Sequence, residues 1–136
     1  MATVSEQMSH DVLAVSPDAT LSAAAQTMME RSVGSAAVLA GGRLVGIITE
    51  RDVLRSVALG LVPWTTRVSE SMTGNPVTVP PGMSTEEAMR MMMTRGFRHL
   101  PVMEGDALLG LVSLRDLLRG RVGSIEPVNI PNPDQP

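Results

Sequence analysis

The sequence contains no cysteine, no lysine and no tyrosine, and it has one phenylalanine and one tryptophan in 136 residues. Without cysteine there are no disulfides, no thiolate metal sites and no thiol nucleophile. With Trp64 and Phe97 as its whole aromatic complement, the chain has no platform on which successive bases could stack. Basic charge is also scarce: the formal net charge is -3. Nucleic acid is bound through basic patches, so a general nucleic-acid surface is not expected. No apolar run approaches the roughly 18–20 residues that a membrane span needs. Met1 to Asp11 carry neither a basic stretch nor an apolar core of the secretory kind. The expectation is a protein of the cytoplasm that does not enter a membrane.

What is present is a repeat. Arg51-Asp52 recurs as Arg115-Asp116, 64 positions later. The same offset carries Val4-Ser5-Glu6 onto Val68-Ser69-Glu70, Met28-Met29 onto Met92-Met93, and Gly46 onto Gly110. Between pairs 4/68 and 55/119 there are 18 identities in 52 positions, with no gap. A register held that long marks a duplication. The organisation read from it is a first repeat over 1–60, a linker over 61–67, a second repeat over 68–120, and a proline-rich tail over 121–136. The tail is expected to be disordered or to lie extended on a partner, because its prolines forbid a regular helix or central strand.

Each copy predicts the same order of elements. Val12–Val15 and Val77–Val79 are short apolar runs ended by proline and read as strands. Helices follow to about Arg31 and Arg95, the second opened by Ser84 and Glu87 as a capping box. Ala36–Ala40 and Leu100–Met103 read as strands, as do Leu44–Ile48 and Leu108–Val112, joined by the turn dipeptides Gly41-Gly42 and Gly105-Asp106. Second helices begin at Thr49 and Ser113 and end near Gly60 and Gly120. The fold class is therefore α/β (α+β), two tandem β-α-β-β-α units.

One segment could carry chemistry. Gly46-Ile47-Ile48-Thr49-Glu50-Arg51-Asp52 recurs as Gly110-Leu111-Val112-Ser113-Leu114-Arg115-Asp116. Thr49 and Ser113 fit helix N-caps, with Asp52 and Asp116 completing capping boxes. The same geometry leaves a hydroxyl and a carboxylate at a strand-to-helix turn. A carboxylate there suits the hydroxyls of a ribose, and free N–H groups at the helix start suit a phosphate. Gly46 and Gly110 would let the backbone approach a ligand closely. Either role accounts for the residues. No glycine-rich phosphate loop is present.

Two such units, each closing in Gly-apolar-apolar-Ser/Thr-x-x-Asp, resemble a CBS-domain pair, or Bateman module, over about residues 4–120. The resemblance implies packing about a pseudo-twofold axis and two clefts between the repeats. It implies ligands containing adenosine (AMP, ADP, ATP or S-adenosylmethionine), no required cofactor, and a switch acting on a partner protein. Carried over by motif, Asp116 would hold ribose, with Ser113 and Arg115 near ribose or phosphate. Arg98 and His99 would meet phosphate, Leu100 and Pro101 would line the adenine, and Thr78 would face base or sugar. Thr49 and Asp52 would form a weaker second site. At the offset, Arg98-His99-Leu100-Pro101 become Gly34-Ser35-Ala36-Ala37, so that site is expected to lack the cations.

Other readings are blander. Arg98 could pair with a surface acid, and His99 could be structural. Met89 and Met91–Met93 fit core and interface packing better than a metal box. His10 is alone, so no metal site is expected. No nucleophile, base and acid form a set, which points away from an enzyme. A homodimer is expected, covering an apolar helix face that would carry Ala23, Met28, Met89 and Met92. The effector protein is unknown. The competing reading is a structural or dimerisation module whose clefts are vestigial.

Overall fold

The computed structural model describes residues 2–122. In chain order the elements are α1 (Val4–Gln7), β1 (Ala14–Val15), α2 (Leu21–Glu30), β2 (Ser35–Ala40), β3 (Arg43–Thr49) and α3 (Glu50–Ala58), then α4 (Val68–Ser71), β4 (Thr73–Gly74), α5 (Thr85–Arg95), β5 (His99–Glu104), β6 (Ala107–Ser113) and α6 (Leu114–Val122). The two β-α-β-β-α units of the sequence are there. Their helices start where the side chains dictate. Thr20 Oγ1 accepts from Ala23 N at 3.1 Å, and Ser84 Oγ accepts from Glu87 N at 3.2 Å. At Ser84 only this half of the expected capping box forms among the described residues. The hairpin between β2 and β3 turns on Gly41 and Gly42, with φ of 58° and 79°. Two successive positive φ values match the twist of the strands, and glycine reaches them without strain.

β2 and β3 pair in antiparallel fashion, as do β5 and β6, and both pairs slip register at the equivalent place, Val38/Leu39 and Val102/Met103. β1 adds to β2 in parallel, giving a sheet ordered β1-β2-β3-β4. The second sheet keeps the same plan with thinner edges. The strand expected over Val77–Val79 is reduced to a single parallel bridge, Val79 to Val102. That over Val12–Val15 shortens to two residues. At the far edge α6 runs to Val122; the expected proline-rich tail lies, from residue 123 on, outside the described residues.

The sequence did not announce how the copies interlock. β4, which opens the second repeat, pairs with β3 of the first through Gly46–Gly74 and Ile47–Thr73. Ser9, 64 positions earlier, pairs with Leu111 of β6. The helical turns cross with them. Val4 N donates to Met83 O at 2.9 Å, and Val68 N donates to Ala19 O at 2.8 Å. Val4 is therefore buried with Val79, Ala88, Met92, Leu100, Val102, Val112 and Leu117. Val68 is buried with Leu13, Leu21, Ala24, Met28, Ala36, Val38 and Ile48. Each folded half takes its first turn from the other repeat. The linker is engaged too: Thr66 O and Pro63 O accept from Leu21 N and Ser22 N, satisfying donors that a helix start leaves free.

The methionines split by helical phase. Leu21, Ala24 and Met28 share the inward face of α2, as Ala88 and Met92 do on α5. Met28 and Met92 are thus core residues rather than part of an outer face. One residue on, Met29 and Met93 are 81% and 76% exposed.

Candidate functional site

Both strand-to-helix turns form complete capping boxes. In the first, Thr49 N donates to Asp52 Oδ2 at 2.9 Å and Asp52 N donates to Thr49 Oγ1 at 3.2 Å. Thr49 Oγ1 also donates to Oδ2 at 3.1 Å, and Arg55 Nη1 donates to Oδ1 at 3.3 Å. Asp52 is 6% exposed, and both its oxygens are taken. In the second, Ser113 N donates to Asp116 Oδ2 at 2.9 Å and Asp116 N to Ser113 Oγ at 3.0 Å. Among the described residues no donor reaches Asp116 Oδ1, and Arg119, the counterpart of Arg55, forms no ion pair. The two carboxylates share a cap and differ in what they leave free.

The interlocked chain places each turn opposite the entry segment of the other repeat. The larger cleft, about 1180 Å³, brings Ser113, Arg115 and Asp116 together with Ser9, Asp11, Val12, Leu13, Gly34 and Ser35. The smaller, about 530 Å³, brings Thr49, Arg51, Asp52 and Arg55 together with Thr73, Asn75, Pro76, Val77 and Phe97. Ser9, Asp11, Val12 and Leu13 are the counterparts at offset 64 of Thr73, Asn75, Pro76 and Val77. The clefts are thus built from equivalent segments of the two repeats.

Glu50, Arg98 and His99 line both clefts. Arg98 and His99 accordingly line the cleft of Ser113 and Asp116, and they also line that of Thr49 and Asp52. The expectation that the Asp52 cleft lacks these cations is corrected: β5 begins at the wall between the clefts, so its first residues reach either side. Burial pushes the His99 imidazole below its usual 6.5, with Glu50, Asp116 and Asp52 opposing that shift and Arg98 adding to it. At neutral pH the fixed cation of the wall is therefore Arg98.

Three residues expected to contact a ligand line neither cleft. Leu100 and Pro101 are fully buried and line neither cleft. β5 is covered on both faces, so residues past His99 turn into the core. Thr78 is exposed and lines neither cleft; the chain there has left the cleft for the bridge at Val79. The close approach at Gly46 and Gly110 is also not to a ligand. A Cβ at Gly46 would stand 2.9 Å from Thr73 O, and one at Gly110 would stand 2.5 Å from Ser9 O. These glycines admit the crossing segments. Conversely, Glu50 and the entry residues Ser9–Leu13 and Asn75–Val77 were not anticipated. Applying the offset to the entry segments would have found them, had the crossing been known.

Among the described residues no helix is long and apolar enough to cross a membrane, and no group of three or more His, Cys, Asp or Glu could hold a metal ion. The interlocked repeats with twin clefts define a paired-repeat binding fold, and comparison places it. The family model for the CBS domain matches residues 3–59 and 68–123. A CBS domain-containing protein of Bacillus subtilis is 38% identical over 118 residues, covering 86% of this chain and 84% of its own. A solved structure of a protein with CBS domains from Burkholderia ambifaria superposes with a TM-score of 0.86 at 31% identity, over 93% of this chain and 98% of that one. A CBS domain protein from Pyrobaculum aerophilum, solved in complex with AMP, superposes with a TM-score of 0.78 at 27% identity, over 85% and 89% of the two chains. The chain belongs to the CBS-domain family and is a CBS pair.

Proposed function

We propose that this CBS pair is a regulatory module that senses adenosine-containing nucleotides in its clefts and passes their presence to a partner protein. The observation that carries the reading is the larger cleft, where among the described residues no donor reaches Asp116 Oδ1, beside Ser113 and within the same walls as Arg98 and His99. A carboxylate oxygen with no internal donor suits ribose hydroxyls. Arginine presents a planar fork suited to phosphate. The AMP complex of the Pyrobaculum aerophilum protein supports the ligand class. AMP, ADP, ATP and S-adenosylmethionine all contain the adenosine that this cleft would hold. Arg115 would add charge at the rim, and Thr49 with Asp52 would serve the smaller cleft. No catalytic step is proposed. The module would act in the cytoplasm as a homodimer, covering the exposed, repeat-related pairs Met29/Met93 and Leu54/Leu118.

Titration calorimetry with the four ligands tests this. Binding of at least one is the expected result, with a large loss in Asp116→Ala and a smaller one in Asp52→Ala. Silence from all four with folded protein would remove the proposal. One observation favours a second reading, a dimerisation module with vestigial clefts: both oxygens of Asp52 already accept internal donors, from Thr49 and Arg55. Full dimerisation without ligand and no thermal shift on adding nucleotide would support that alternative.

A further inference from the structure

We infer that the two clefts share a single phosphate clamp, so that one chain takes one phosphorylated ligand at a time while both clefts remain open to an uncharged nucleoside. The inference rests on the nucleotide-binding reading above. Its basis is the wall common to both clefts, built from Glu50, Arg98 and His99. A strictly duplicated module would carry two such clamps. Here the counterpart of Arg98 is Gly34 and that of His99 is Ser35, so the wall holds one guanidinium where symmetry would supply two.

What stands in the other place is an acid. Glu50 occurs where the second repeat has Leu114. A Cβ at Gly34 would lie 3.3 Å from Glu50 Oε1, so the carboxylate lies over the glycine, filling the space that a second cation would need. A phosphate group bound at the wall from either side neutralises Arg98. A second one, arriving from the opposite cleft, then meets Glu50 and the first phosphate with no further cation lining both clefts, and like charges repel. Arg51 and Arg55 line the smaller cleft alone, and Arg115 and Arg119 the larger alone, so none of them belongs to the shared wall. A nucleoside without phosphate does not draw on the clamp at all.

The test is calorimetry on the full chain with AMP and with adenosine at fixed ionic strength. The expected result for AMP is one molecule per chain, with any second event weaker by about tenfold or more. Adenosine should show a smaller gap between its two events, set by the unequal acids Asp116 and Asp52 and not by the clamp. Arg98→Ala should weaken AMP and leave adenosine unchanged, and Glu50→Gln should narrow the gap between the first and second AMP. Two equal and independent AMP sites would overturn the shared clamp while leaving the nucleotide reading intact. Silence from both ligands with folded protein would remove that reading, and the clamp with it.

Discussion

The two repeats carry one fold and two different cleft chemistries. Both close their hairpin with the same capping box, yet among the described residues both oxygens of the acid accept internal donors in one and only Oδ2 does in the other. Asp52 is tied by Thr49 and by Arg55 at 3.3 Å, whereas Asp116 spends one oxygen on its cap. The cap is needed to start a helix, so both copies retain it. The remaining oxygen is not needed for folding, and there the copies diverge. Structural constraint and freedom to bind thus divide within a single carboxylate.

The comparison can be broken at its core first. Leu100 is fully buried in the second half, and its counterpart in the first is Ala36. Leu100→Ala should cost about 2–5 kcal/mol, since a cavity replaces the side chain; urea unfolding measures it, and a loss below about 1 kcal/mol would mean that the halves have equivalent cores. Next come the crossing points. Gly46→Ala and Gly110→Ala should each destabilise by about 1–3 kcal/mol by forcing the crossing strands apart. Gly110 should suffer more, because its nearest obstacle is the backbone oxygen of Ser9, whereas at Gly46 it is the flexible end of Met72. Equal melting temperatures for the two variants would contradict this. Then the caps: Thr49→Ala and Ser113→Ala should cost about 1 kcal/mol each. The Thr49 change should be the larger, because its hydroxyl also donates to Asp52.

The smallest effect concerns pH. His99 has a folded pKa below the 6.5 of the free side chain, chiefly through burial. The unfolded chain therefore binds more protons than the folded one between those two values. Stability contributed by neutral His99 is complete above about pH 6.5 and falls as the pH drops through the folded pKa. His99→Ser, which copies Ser35 of the first repeat, should flatten that part of a melting-temperature profile. An unchanged profile would mean that the imidazole is not held neutral.

Much of this was readable beforehand, and the part that was not has a physical reason. The repeat register located the hairpins, the caps and the turns that face the clefts. It could not show that Val4 packs with the second half and Val68 with the first. Either choice seats a valine in an equivalent pocket and a methionine, Met8 or Met72, beside it, so the two arrangements are indistinguishable by residue type. That one ambiguity concealed which entry segment faces which turn. The burial of Leu100 and Pro101 was hidden for another reason: a run of apolar residues beside a cationic pair looks like a ligand wall, yet β5 is covered on both faces. Glu50 has no role in the capping box, and it is exposed, but exposure at the wall between two clefts is a different thing from exposure on an outer face.

The crossed turns also bear on how such a chain could arise. A solitary repeat would carry a first turn whose pocket lies on another repeat, and a pocket left open for a turn it does not have. Two solitary repeats could satisfy each other by trading turns. Joining them in tandem makes that trade internal and permanent. Splitting the chain between the repeats should then yield two fragments that are each incomplete when alone and able to reassemble when mixed.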